Sequence, residues 1–307
     1  MIPDAFAAPG RFYRGNLHTH SNVSDGALDP AEVCRRYHAE GYDFISLTDH
    51  FIGQYGYPIT DISAFRGDGF TTIPGAELHS GASENGELWH ILAVGLPADF
   101  APPDAPHFLP VPGQESGPDL ARRARDAGAF VAVAHPHWTG LSLSDVLSIE
   151  AAHAIEVYNH ISVVNCGRGQ SLHIADLALA AGRRVGLIAC DDAHFTCNDH
   201  FGGWVMVKAT QNSPDALLAA LKAGHYYATQ GPEFAHVEIT GDRVLVRCSA
   251  VESVIVQGIG SPTEAVHGAA LTRAEVPLAA LSASPYLRLT LRDRAGREAW
   301  SNPIWRD

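Results

Sequence analysis

Four short segments hold the residues whose types and spacing could do chemistry: Leu17-His18-Thr19-His20, Thr48-Asp49-His50, His135-Pro136-His137 and Asp191-Asp192-Ala193-His194. Imidazoles and carboxylates are the ligands of divalent zinc, iron and manganese. His18 and His20 stand two apart at the end of an expected strand, so both point to one face and can reach the same ion. Asp192 and His194 repeat that spacing. Either pair alone is as consistent with chance as with a site. Two such pairs at matching strand ends point to a metal cluster, and through it to hydrolysis.

Further candidates fall at the same strand ends. Asp25 lies in Ser24-Asp25-Gly26, just past the first strand, where a turn can swing its carboxylate toward the cluster. Asp49 and His50 are adjacent and would point to opposite faces, so one of them serves as a ligand; we assign His50, with Asp49 behind it. Glu77 ends the apolar segment Pro74-Gly75-Ala76-Glu77, where a buried unpaired carboxylate would be costly and a bridge between two metals would remove the cost. His79 shares its face and reads as a buried support. His90 opens the run Ile91-Leu92-Ala93-Val94 and reads equally as a structural residue or a ligand. His135 closes an apolar run just before a proline, which places it at the mouth, and His137 is a weaker candidate on the same face.

These residues need strands to position them. Extended apolar runs at residues 14–20, 42–48, 70–79, 88–96, 129–135, 154–158 and 184–190 alternate with helical patterns. Asp29 and Pro30 supply an N-cap and a first-turn proline for a helix running to residues 40–41. Other helices are expected at 118–128, 143–149, 172–181 and 214–223. Seven strands with crossover helices imply a closed parallel barrel. From about residue 233 the pattern alternates with period two, and Gly241-Asp242 and Asp293-Arg294-Ala295-Gly296 supply turns, which predicts a small antiparallel β-sandwich packed on the barrel. The domains are expected at 1–231 and 232–307. Residues 97–117 are proline-rich and are expected to form a loop covering one barrel face.

Composition excludes several alternatives. Lys and Arg number 21 against 34 Asp and Glu, a formal charge of −13, and no basic run could track a long nucleic acid. The five cysteines include no C-x-x-C pair, which argues against a disulfide framework and a cysteine zinc site. The first residues lack a secretory pattern and no stretch approaches a membrane span, so a cytoplasmic protein without a membrane partner is expected.

Taken in order, Gly15-Asn16-Leu17-His18-Thr19-His20 with Ser24-Asp25-Gly26, Leu47-Thr48-Asp49-His50, Gly75-Ala76-Glu77, Trp89-His90-Ile91, Ala134-His135-Pro136 and Asp192-Ala193-His194 resemble the PHP family, named for polymerase and histidinol phosphatase domains. The resemblance covers roughly residues 14 to 195. It implies an α/β fold, a distorted seven-stranded (β/α)7 TIM-like barrel, with two to three divalent metal ions (Mn, Fe or Zn) at its C-terminal mouth. Carried over by motif, His18, His20, Glu77 and Asp192 would hold one metal. Glu77 would bridge to a second, completed by His90 and His135, while Asp25, His50 and His194 would hold a third; Asp25 stands where some members have histidine. Such a site would carry a net charge of about +3 and attract a small anionic substrate. A hydroxide bridging the first two metals would attack phosphorus, which places Glu77, Asp192 and His194 at the reacting centre. The leaving group would take its proton from metal-bound water or from His160.

The leading expectation is therefore a metal-dependent phosphoesterase for a small mono- or diester. A hydrolase of carboxylic esters, amides or carbamates on the same metals is the second reading. Phosphate-gripping arginines would separate the two, and Arg66 and Arg168 are scattered candidates. A non-catalytic metal-binding module is the third, against which stands the uneroded motif set.

Overall fold

The structure, a computed structural model, describes residues 4–67 and 69–306. The strands preceding the cluster segments are β1 (Arg11–Asn16), β2 (Phe44–Leu47), β3 (His50–Phe51), β4 (Thr71–Leu78), β5 (Ile91–Val94), β6 (Phe130–Val133), β7 (Ala154–Asn159) and β8 (Gly186–Cys190). They are followed by β9 (Trp204–Ala209), β10 (Tyr226–Thr229), β11 (Phe234–Thr240), β12 (Arg243–Gln257), β13 (Thr263–Pro277), β14 (Tyr286–Arg292), β15 (Glu298–Ser301) and β16 (Ile304–Trp305). Hydrogen bonding links them in the order β11-β12-β14-β15-β10-β9-β1-β2-β4-β5-β6-β7-β8, with β13 on β12, β16 on β14 and β3 on β4.

The fold is mixed α/β, and the expected closed parallel barrel is corrected in two respects. The sheet is an open path, and no ladder among the described residues joins β8 to β1. It is also not all parallel: β1–β2, β2–β4, β6–β7 and β7–β8 are parallel, whereas β4–β5, β5–β6, β1–β9 and β9–β10 are antiparallel. The link from β4 to β5 carries no helix to cover the sheet as a parallel crossover usually does, and the chain returns antiparallel.

Helix ends follow local rules. In Pro30–Ala39 the Asp29 carboxylate accepts the Glu32 amide and proline occupies the first turn. Ser116 and Ser213 cap Gly117–Asp126 and Pro214–Lys222 in the same way. Ser142 and Asp145 form a reciprocal capping box at Leu143–Ser148.

The C-terminal strands are antiparallel, but they do more than pack on the rest. β15 pairs with β10 through Tyr227–Ser301 and Thr229–Ala299, so the sheet runs through without a break. Trp300 is fully buried in the same core as Tyr158, with ring centroids 6.2 Å apart. Arg288, 1% exposed, sends Nε and Nη2 to the two oxygens of Asp176 on helix Leu172–Ala180, at 3.0 and 2.9 Å. No helix among the described residues is long and apolar enough to cross a membrane.

Candidate metal centre

The residues singled out by type gather where β1, β4, β6 and β8 end. Beyond β1 the chain continues extended, and Thr19 forms an isolated parallel bridge with Ala193. The Asp192 amide donates to the His18 carbonyl at 2.8 Å and the His20 amide to the Ala193 carbonyl at 2.9 Å. These bonds hold the His18–His20 pair beside Asp192, with both imidazoles on one face as strand parity requires.

Asp192 Oδ1 lies 3.1 Å from His18 Nε2 and 2.9 Å from His20 Nε2. Glu77 Oε2 lies 3.6 Å from both of those nitrogens. Its other oxygen, Oε1, is 2.7 Å from His90 Nδ1 and 3.1 Å from His135 Nε2. On the far side Asp25 stands 3.3 Å from His50 Nε2 through Oδ2 and 3.3 Å from His194 Nε2 through Oδ1. Three groupings have donor atoms close enough for a single ion: His18, His20 and Asp192; His18, Glu77 and His135; and His20, Asp25, His50 and His194. A fourth, His50, Glu77 and His79, uses a histidine whose nitrogens are already engaged, Nδ1 on the Trp89 carbonyl at 3.0 Å and Nε2 on His50 Nδ1 at 2.8 Å. His79 thus orients His50, as a buried support would.

The donor set fits divalent cations. His18 Nε2, both nitrogens of His20 and Glu77 Oε2 are buried and make no well-directed hydrogen bond, although His50 Nδ1 lies 2.8 Å from that Glu77 oxygen and Asp192 Oδ1 2.9 Å from His20 Nε2. Unsatisfied buried polar atoms are costly, about 1–3 kcal/mol each, and a cation removes that cost. Charge is arranged to suit. Burial works against ionising Asp25, yet hydrogen bonds from His194 and His50 hold its carboxyl well below the usual range. Burial likewise opposes ionisation of Asp192, and the neighbouring His18 and His20 lower it nonetheless. Burial, with the neighbouring His194 and His50, pushes His20 down to about 4, so its imidazole is neutral at pH 7.

Two members of the cluster have left-handed backbones, His135 at φ 24° and Asp192 at φ 55°. Such conformations cost about 1–3 kcal/mol for residues other than glycine and persist where neighbours impose them. Here the His135 amide donates to Glu156 Oε2 at 2.7 Å, and the Asp192 amide is the one tied to His18.

Glu156, in the middle of β7, was not anticipated from the sequence. Its Oε1 is 3.1 Å from His18 Nδ1, which leaves Nε2 as the atom facing the cluster, and Asn159 Nδ2 links its Oε2 to Asp192 Oδ2 at 3.1 Å each. The signal was present: Glu156 is a lone carboxylate in an apolar strand, and the burial cost argued for Glu77 applies to it equally. Asp49 faces away, as its parity predicted. It accepts the Ser21 amide at 2.7 Å, Ser24 Oγ at 2.8 Å and Thr60 Oγ1 at 3.0 Å, so it fixes the turn that presents Asp25.

Other expected residues lie elsewhere. His160 does not line the cavity: it starts helix His160–Cys166, its Nδ1 is 2.8 Å from the Tyr158 hydroxyl, and its ring packs on Gly202, where a Cβ would meet it at 2.2 Å. His137 is turned to the Gln170 carbonyl, Arg66 to the Thr72 carbonyl, and Arg168 is exposed outside the cavity wall. The cavity over the cluster has a volume of about 400 Å³ and is walled in part by Leu88, Phe108, Trp138 and Ile161. Phe108 comes from the 97–117 loop and sits edge-on to His50 at 4.7 Å; Trp138 stands 4.9 Å from His135 and 5.4 Å from His90.

No protein-family model matches the sequence. An uncharacterized protein of Methanocaldococcus jannaschii is 31% identical over 125 residues, which is 40% of this chain and 45% of that protein, so the match spans less than half of the curated relative. An amidohydrolase from Chromobacterium violaceum is 18% identical over 59% of this chain and 87% of its own, with a TM-score of 0.45. A two-domain protein from Bacteroides vulgatus, described as containing a predicted PHP-like metal-dependent phosphoesterase, superposes with a TM-score of 0.53 at 17% identity, over 95% of this chain and 93% of its own. The chain has the fold of that PHP-like two-domain protein.

Proposed function

We propose that the chain is a metal-dependent hydrolase acting on a phosphate mono- or diester of a small molecule. The observation that carries this reading is the buried pair His18 Nε2 and His20 Nε2, which has Asp192 Oδ1 at 3.1 and 2.9 Å and Glu77 Oε2 at 3.6 Å from each nitrogen. In this reading His18, His20, Glu77 and Asp192 hold one ion, Glu77 with His90 and His135 a second, and Asp25, His50 and His194 a third. The strands up to residue 231 act as a barrel-like unit around them, with 232–307 as a C-terminal domain. Manganese, iron and zinc all suit such donors. When bound, these ions polarise the ester and lower the pKa of water to about 7.

The chain's own residues supply orientation and exclusion of water. Glu156 fixes the tautomer of His18, Asn159 holds Asp192, and Leu88, Phe108, Trp138 and Ile161 supply the apolar part of a wall that also carries Glu87, Ser162 and Asn165. Glu156→Gln keeps the shape and removes the charge behind His18. Its metal affinity is expected to fall about 10–100-fold, read by chelator competition with the circular dichroism spectrum unchanged. Wild-type affinity in that variant would mean that Glu156 only packs.

One observation favours the second reading, a carboxylic ester, amide or carbamate hydrolase: no Lys or Arg is among the described residues lining the cavity. Anionic phosphates are commonly gripped by such cations. Metal-replete protein offered an aryl phosphate, a bis-aryl phosphodiester, an aryl carboxylic ester and an aryl carbamate decides between them. The leading reading expects the phosphoesters to give the highest kcat/KM. Turnover of the carboxylic substrates alone overturns it, and metal binding without any turnover points to the non-catalytic module.

A further inference from the structure

A second cavity, about 630 Å³ in volume, opens at the opposite pole of the sheet, where β7 and β8 begin and helices Gly117–Asp126 and Pro214–Lys222 end. It shares no lining residue with the metal centre. Gly186 lines it at one end of β8 and Asp192 follows the other, about 20 Å away at the rise of an extended chain.

Its wall reverses the charge balance of the chain. Arg125, Arg183, Arg184, Lys222 and His153 face Glu150, the one carboxylate among the described lining residues, in a protein with 21 Lys and Arg against 34 Asp and Glu. Three of the cations are fixed on neutral acceptors: Arg125 Nη1 donates to the Ala151 carbonyl at 3.3 Å, Arg183 Nη2 to the Ile149 carbonyl at 2.9 Å, and Lys222 Nζ to the Gly128 carbonyl at 2.6 Å. These carbonyls follow helix ends, where a cation offsets the negative end of the dipole. A helix terminus amounts to about half a charge, so three full charges gathered around one cavity leave a positive surplus.

His153 registers that surplus. Burial, then Arg125 and Lys222, hold its imidazole down at about 4, so it stays neutral. Its Nδ1 accepts the Val131 amide at 3.0 Å, which leaves Nε2–H as a donor. Trp305 adds an aromatic wall, with the Arg184 guanidinium 5.0 Å from its ring centroid.

We infer that this cavity is a second ligand site, which takes a small phosphate-bearing molecule with its oxyanion among Arg125, Arg183, Lys222 and His153. A phosphate group carries about −1.5 to −2 at pH 7 and offers three acceptor oxygens, which matches two guanidinium forks and an ammonium better than a single carboxylate does. The volume falls within the range of metabolite pockets, about 300–1,000 Å³. The inference stands apart from the hydrolase reading, since it uses none of the same residues.

The test is calorimetric titration of inorganic phosphate into the full chain at low ionic strength. All proteins carry Glu77→Gln, so that binding at the metal cluster is suppressed. Lys222→Gln removes a cation. Ala223→Glu adds a carboxylate at the exposed rim without touching any of the three cation–carbonyl bonds, and so remains informative if the first variant folds poorly. The expected result is phosphate binding in the Glu77→Gln background that weakens about tenfold or more in both further variants. Binding that Ala223→Glu leaves unchanged, or no binding in the folded Glu77→Gln protein, overturns the inference and leaves the cations as helix caps.

Discussion

Glu77→Gln is expected to lose at least about a thousand-fold in kcat/KM, equivalent to about 4 kcal/mol of barrier, together with most of its bound metal. No other side chain touches so much of the cluster. One oxygen faces His90 and His135 at 2.7 and 3.1 Å, and the other faces His50 at 2.8 Å and His18 and His20 at 3.6 Å each. A glutamine would remove the carboxylate charge that would offset bound cations, and its amide would present hydrogens to imidazole lone pairs. Glu77 is fully buried, so solvent cannot stand in for the lost charge. Activity on the best substrate and metal content by elemental analysis should fall together. A variant that keeps both would remove Glu77 from the centre of the proposed mechanism, and one that keeps metal but loses turnover would assign it a role in the reaction rather than in binding.

Trp300→Ala should destabilise the whole chain by about 3–5 kcal/mol, the range for deleting a large buried aromatic. Trp300 belongs to the C-terminal strands by sequence, yet its ring lies fully buried in the core that also contains Tyr158, Val157 and Leu187. Because β15 is hydrogen-bonded to β10, the loss cannot be confined to residues 232–307. Calorimetry should show a single transition lowered by roughly 5–10 °C. An early, separate transition of the C-terminal strands with the rest unchanged would mean that the two parts fold independently. Removing residues 233–307 should have the same effect in stronger form, because it also takes away the Arg288–Asp176 pair and exposes one edge of β10.

The cluster was legible because strand parity does not depend on how strands are arranged. His18 and His20, or Asp192 and His194, share a face whether the neighbouring strand is parallel or antiparallel, and His135 reaches the mouth because Pro136 ends its strand. The arrangement itself was less legible. β9 and β10 lie outside the seven expected strands, and the alternation of Trp204-Val205-Met206-Val207 shows as burial only in the fold. Strand direction follows from connections, and the helix-free link from β4 to β5 was the available clue that the sheet is mixed. His90 illustrates a different limit: nothing local separates a ligand from a structural histidine, and its contact with Glu77 is a property of two strands that pair only in the fold. His160, expected as one of two proton donors, starts a helix, and its ring turns to Tyr158.

The stitch between Thr19 and Ala193 spans 174 residues of chain. On a ribosome adding about 5–20 residues per second, the first pair of histidines therefore waits on the order of 10–30 s before Asp192 and His194 emerge. The centre cannot be captured piecemeal by the nascent N-terminal half: its two ends meet only when most of the sheet has formed. A truncated product ending before residue 190 would carry histidines and a glutamate but no closed cage, and so would compete poorly for scarce ions in the cell. In the proposed reading, metal loading would follow the formation of most of the sheet.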